Sequence, residues 1–204
     1  MQIVRGTVLL ALAVCTSVSI PIWAAEVNAP GVPNFHQVND RIYRGALPAG
    51  DGWTSLSKLG IKIVIDLREG SSKEEQHVVE AVGMHYVSVP LAGVGAPPTE
   101  KITKVLALLN NSSDPVFVHC RRGADRTGTV IACYRIEHDG WSNQKALQEA
   151  KSYGMAGFEF GMKRYVLGFH PTTPVLSPAD IAAPVAVPPA GHSAPTSAPT
   201  ATLK

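Results

Sequence analysis

Between residues 116 and 130 the chain reads "VFVHCRRGADRTGTV". A run of β-formers delivers His119 and Cys120. Arg121, Arg122, Gly123, Ala124, Asp125, Arg126 and Thr127 follow. If a strand, a tight loop and a helix meet here, the loop N–H groups and the helix N-terminus converge on one point, which becomes an anion site. Gly123 lets the loop curl and brings backbone close to a ligand. Arg126, at the helix start, presents a planar fork that takes two oxygens of one phosphoryl group. Cys120 sits at the opposite rim, where the same positive field favours its thiolate. A thiolate facing a bound phosphoryl group is a nucleophile for in-line attack. The sequence contains no G-x-x-x-x-G-K-[ST], so this is not a Walker-type nucleotide loop.

The surrounding elements must hold that loop. "RIYR" (41–44) reads as a short strand, and "DGWTSLSKLG" (51–60) as a short helix with Asp51 as its cap and Gly60 past its end. "IKIVIDL" (61–67) is a buried strand. A helix is expected over 71–83, with Ser72 and Glu75 as a capping box and Gly83 closing it. "MHYVSV" (84–89) is a strand. Ile102, Val105, Leu106 and Leu109 fall at helical spacing within 99–110. A strand over 115–119 leads into a helix over 127–140, and a further helix over 142–154 has Ser142 as its cap. In 158–169, Phe158, Met162, Tyr165 and Phe169 share one side. Strands alternating with helices predict an α/β fold, a central mainly parallel sheet flanked by helices. In such folds ligands sit beyond the carboxyl ends of the strands. The phosphate loop, between strand 115–119 and helix 127–140, has that position.

"HCRRGADRTG" fits H-C-x5-R-[ST]-G, and the chain resembles the cysteine-dependent protein tyrosine and dual-specificity phosphatases. Over about Phe35 to Phe169 it is similar to their compact bacterial members, through "YRGALP", "IKIVIDLRE" and "YRIEHDGWS". The resemblance implies a tyrosine-phosphatase-like fold and hydrolysis of phosphomonoesters through a phosphocysteine on Cys120. It implies that Arg126 binds phosphate and stabilises the transition state, while backbone amides from Arg121 to Arg126 cradle the oxygens. It has His119 orienting the loop and supporting the thiolate, and Thr127 donating to the cysteine sulfur. No metal or other cofactor is implied, since loop dipoles and Arg126 supply the charge stabilisation.

The departure from the family concerns the proton. Its members keep an Asp general acid on a loop that corresponds here to 90–99, which reads "PLAGVGAPPT" and holds no carboxylate. Myotubularin-like lipid phosphatases resemble this chain in carrying Asp directly before the signature Arg, which makes Asp125 the candidate acid. Proton donation by Asp125 requires a bound phosphate dianion to outweigh Arg126 and the loop dipoles. Glu100 is the second candidate. With neither, turnover is restricted to good leaving groups such as aryl phosphates.

Composition bounds the remainder. The 204 residues carry 18 Lys+Arg against 16 Asp+Glu, a formal charge of +2, which gives no support for a nucleic-acid partner. Residues 1–25 have the layout of a signal peptide, with Arg5 before an apolar stretch and small residues at "WAA". A periplasmic or secreted protein is expected, with membrane contact only through an uncleaved leader or a lipid anchor at Cys15. Residues 26–170 form the expected phosphatase domain. From 171 to 204 the chain is rich in Pro and Ala and lacks aromatics, so a disordered tail is expected. Cys133, roughly 10 Å along a helix from Cys120 at 1.5 Å rise per residue, is out of disulfide reach and reads as a small core residue.

Arg121 and Arg122 are either solvated loop charges or a preference for polyanionic substrates such as phosphoinositides, inositol phosphates or acidic phosphopeptides. Asp66 and Arg68 read as a structural ion pair or as help at the site rim, and Arg44 is similar. His36, His77 and His85 read as surface or satisfied histidines, and Trp53 and Trp141 as core packing. The expected partner is a phosphorylated protein or small phosphomonoester. The alternatives are an inositol-phosphate phosphatase on the same loop and a catalytically weak phosphate-binding module.

Overall fold

The computed structural model describes residues 27–70 and 73–171, and those up to Phe169 belong to one compact unit. The leader, Cys15, Ser72 of the capping box and the tail from residue 172 lie outside the described residues.

Five strands form one sheet in the order β1-β2-β5-β3-β4. They are β1 (His36–Gln37), β2 (Ile42–Ala46), β3 (Ile63–Asp66), β4 (His85–Ser88) and β5 (Val116–Cys120). The pairs β2–β5, β5–β3 and β3–β4 are parallel, as the alternating pattern predicts. The short antiparallel edge strand β1 was not expected from sequence, because two residues carry no periodicity.

The helices are α1 (Gly52–Lys58), α2 (Lys73–Ala81), α3 (Thr99–Asn111), α4 (Asp125–Glu137), α5 (Asn143–Ser152) and α6 (Phe160–Leu167). Strand alternation sorts them into two layers. Val116, Val118 and Cys120 of β5 face one core with α3, α4, α5 and α6. Phe117 faces the other, with Trp53 and Leu56 of α1 and Val79 of α2. Trp141 packs against the first core beneath the Arg135 guanidinium.

Two local expectations need correction. Asp51 stands at the N-cap of α1 but its side chain accepts no capping bond, since its φ of −80° and ψ of 10° are not the extended geometry a cap needs. Ser142 has that geometry, and its hydroxyl accepts from the N–H of Lys145 at 3.3 Å. Phe158 does not share the buried side of the last helix. It precedes α6 and is 67% exposed, while Met162, Val166 and Phe169 turn inward.

Candidate active site

β5 is central and buried along its whole length, so the turn that follows it starts from a fixed point. Gly123 has φ of +67°, and a Cβ there would fall 2.5 Å from the backbone N of Ala46. Both facts require glycine. The loop carbonyls are drawn outward. Gly123 O accepts from Arg44 Nη2 at 2.7 Å and from Asn34 Nδ2 at 3.1 Å. Arg122 O accepts from the same Asn34 amide at 3.2 Å, and Arg121 O from the N–H of Leu47 at 3.4 Å. In a trans peptide the next N–H points opposite to the carbonyl, and no peptide among the described residues is cis. The N–H groups of Arg122, Gly123 and Ala124 therefore face inward.

Inward is a cavity of about 240 Å³. Its floor and rim come from Cys120, Arg121, Arg122, Asp125 and Arg126. Gly93 and Val94 form one wall, and Phe158 and Glu159 another. Cys120 is 2% exposed and unbridged, as is Cys133 in the core, where burial pushes the thiol up. Arg126 lines the cavity, and its Nη1 donates to Leu91 O at 3.5 Å. Asp125 also lines it, with both oxygens engaged. Oδ2 accepts from Arg122 Nη2 at 2.5 Å, and Oδ1 accepts from the N–H of Ala156 at 2.7 Å.

Arg44 lies beneath the loop, 1% exposed, with its guanidinium 4.6 Å from the centre of the Tyr153 ring. Burial pushes it down to about 10, so it remains a cation at neutral pH. It supports the loop through Gly123 O and forms no ion pair among the described residues, unlike the expectation that it resembles Asp66 and Arg68.

Those two are a structural pair. Asp66 Oδ1 accepts from the Arg68 N–H and Nε, and Oδ2 from Arg68 Nη2 and the Tyr86 hydroxyl. Arg68 also bonds Glu75. Burial pushes the Asp66 carboxyl up, but the Arg68 and Tyr86 bonds and nearby His119 hold it below the usual range. Ligand atoms of Asp66, Glu75 and His119 lie within 4.8 Å of one another, the spacing of a metal site. Arg68 already bridges the two carboxylates, so the cluster holds its cation.

The sequence matches, over residues 18–166, the family described as "PTP-NADK: DSP-PTPase phosphatase fused to NAD+ Kinase". The chain belongs to the cysteine-dependent dual-specificity phosphatase family. Dual specificity protein phosphatase TpbA of Pseudomonas aeruginosa is 28% identical over 145 residues, 66% of this chain and 65% of that protein. Inositol diphosphatase DSP2 of Oryza sativa is 34% identical over 125 residues, 57% of this chain and 61% of that protein. The chain thus spans less than two thirds of either curated relative. The crystal structure of P. aeruginosa TpbA superposes with a TM-score of 0.60 at 28% identity, covering 74% of this chain and 92% of that one. The core catalytic domain of SIW14 from S. cerevisiae, solved with citrate, shares the fold at a TM-score of 0.63 and 24% identity, covering 70% and 89%.

Two roles implied by this phosphatase family, those of His119 and Thr127, do not appear as contacts, and the second candidate acid lies away from the cavity. The His119 imidazole lies on the opposite face of the sheet from Cys120, stacked on Phe117, with Nε2 3.3 Å from Glu75 Oε1. Neither of its nitrogens bonds the loop. The Thr127 hydroxyl is buried and has no hydrogen-bond partner, the cysteine sulfur included. Glu100 is exposed on the first turn of α3 and does not line the cavity.

Conversely, sequence reading passed over Asn34, Tyr153 and Glu159. Asn34 has a signal only in hindsight, as a left-handed residue (φ 52°) of a type that tolerates that conformation. Glu159 lies 39 residues after the cysteine in chain numbering, within no motif.

Proposed function

We propose that this chain hydrolyses phosphomonoesters, with Cys120 as nucleophile and a phosphocysteine intermediate. One observation carries this reading. The carbonyls of residues 121–123 turn outward, so the N–H groups of Arg122, Gly123 and Ala124 point the other way, toward the cavity lined by Cys120 and Arg126. Those donors take the equatorial oxygens of a phosphoryl group, and Arg126 clamps two of them. The Cys120 thiolate attacks phosphorus in line, the ester oxygen leaves, and water then releases inorganic phosphate.

The walls favour an aryl ester, with phosphotyrosine as the natural example. Val94 and Phe158 flank the cavity at 68% and 67% exposure, apolar surface suited to a ring. Three arginines face two carboxylates there, a small excess of positive charge for a densely phosphorylated ligand. A Cys-to-Ser variant of P. aeruginosa TpbA, 27% identical, has been solved in complex with phosphotyrosine. The second reading, an inositol phosphate, is favoured by the names of DSP2 and SIW14 and by the exposed side chain of Arg122.

Rates on a phosphotyrosine peptide, p-nitrophenyl phosphate and an inositol pyrophosphate, for wild type and Cys120→Ser, test both. We expect turnover of the two aryl esters, loss of at least about 10³-fold in Cys120→Ser, and a slower inositol reaction. An inactive wild type, or a Cys120→Ser variant at full rate, sinks the phosphocysteine mechanism. Preference for the inositol substrate reverses the assignment of substrate class.

A further inference from the structure

We propose that Glu159 donates the proton to the leaving oxygen and that Asp125 is the residue that positions it. This rests on the phosphatase reading above. Among the described residues only two carboxylates line the cavity, Asp125 and Glu159. They differ in what they are already doing. Asp125 spends one oxygen on Arg122 and the other on the N–H of Ala156. Releasing it to donate a proton breaks the Arg122 pair and frees the segment before α6. Glu159 is 3% exposed and its carboxyl makes no hydrogen bond to any described residue. It stands at the N-cap of α6, where a carboxylate ordinarily accepts a helix N–H, yet it accepts none and faces the cavity instead.

A carboxylate in the wall of an anion site weakens anion binding by like-charge repulsion. A carboxyl that carries a proton does not, and a dianion arriving in a buried pocket favours that form. The groups that face Glu159 are Cys120, Arg121, Arg122, Asp125 and Arg126. Arg122 is one source of opposing charge in the cavity, but its bond goes to Asp125. On α6 itself, Lys163 is turned to the carbonyl of Gly157.

The bond between Asp125 Oδ1 and the Ala156 N–H then has a purpose. The N–H of Glu159 donates to Ala156 O at 3.2 Å, so Asp125 holds the turn from which Glu159 projects. In the first step the Cys120 sulfur forms its bond to phosphorus as the P–O bond to the leaving group breaks. The Glu159 proton goes to that oxygen. In the second, Glu159 takes a proton from water as the water oxygen bonds phosphorus and the S–P electron pair returns to Cys120.

Phenyl phosphate has a poor leaving group and p-nitrophenyl phosphate a good one, so the pair reads proton donation directly. In Glu159→Gln we expect a loss of about 10²- to 10⁴-fold in kcat on phenyl phosphate and less than about tenfold on p-nitrophenyl phosphate. The basic limb of the kcat–pH profile should disappear, and inhibition by vanadate should be kept or strengthened. Glu159→Asp should recover part of the phenyl phosphate rate. Asp125→Asn should slow both esters alike and keep the basic limb. Equal losses on the two esters in Glu159→Gln, or a leaving-group-dependent loss in Asp125→Asn instead, overturn the assignment while the phosphatase reading stands. A wild type silent on both esters overturns that reading and the proton donor with it.

Discussion

The residues proposed to react were legible because they are contiguous. Cys120, Gly123 and Arg126 lie within one short loop, and the physics of anion binding at a loop–helix junction needs no long-range information. What supports them was not legible. Asn34 reaches Gly123 across 89 residues of chain and Arg44 reaches it across 79, so neither forms a local pattern. Arg44 is the case in which support for the loop and gain to the fold should come apart. Its Nε and Nη1 are buried without hydrogen-bond partners, a cost set against its bond to Gly123 O and its contact with the Tyr153 ring. Replacing it with methionine leaves that carbonyl its bond from Asn34. Arg44→Met should therefore melt within about 3 °C of wild type, or higher, because less than about 1 kcal/mol of net stability is at stake. Its kcat/KM on p-nitrophenyl phosphate should fall by at least about tenfold, the equivalent of about 1.4 kcal/mol. Calorimetry beside a rate assay checks this. Unchanged kcat/KM would show that the loop needs no support from below.

At the scale of elements, helix and strand types follow from periodicity, and α3 and β5 lie where the apolar spacing puts them. The contacts between elements do not follow. The beginning of α6 meets the 90–99 segment so closely that a Cβ on Gly161 would lie 2.5 Å from Gly95 Cα and 2.6 Å from Ala96 N. This contact joins the two walls of the cavity, since Val94 belongs to one and Glu159 to the other. Neither segment has a motif, so the sequence could mark the missing acid on 90–99 but not the carboxylate that the adjoining helix brings. Gly161→Ala must push those backbones apart. The expected result is a KM for p-nitrophenyl phosphate raised about tenfold with the fold retained, about 1.4 kcal/mol of binding. Steady-state kinetics with a far-ultraviolet spectrum is the check, and unchanged KM would mean that the walls move independently.

For the molecule as a whole, stability should depend on acid through buried carboxylates. Asp66 is fully buried and its folded carboxyl lies below its ordinary value of 3.8. A depressed folded value means that its contribution is complete above about pH 4 and is lost as pH falls through the folded value. Asp139 lies at the surface, where a partial loss of solvent raises its carboxyl but Arg135 and His138 lower it by more, and it adds weakly to the same limb. Urea midpoints at pH 6, 4 and 3 should fall steadily for wild type. Asp66→Asn should be less stable at pH 6, by about 3–5 kcal/mol if it leaves Arg68 poorly paired, and should lose less on acidification. Parallel pH profiles would exclude Asp66 as a source of the acid limb. The parallel sheet was legible from the alternation of strands and helices, but its order was not, because β2 and β3 are neighbours in sequence and not in space. Both pair with β5, Ile42 and Ile63 each lying opposite Val116. On a chain emerging from the ribosome, β2 and β3 therefore lack their shared neighbour until residue 120 has cleared the ribosome. The strand that joins them is the one that ends in Cys120. Synthesis interrupted before that point leaves both halves of the sheet without their shared strand, with an edge exposed to other chains.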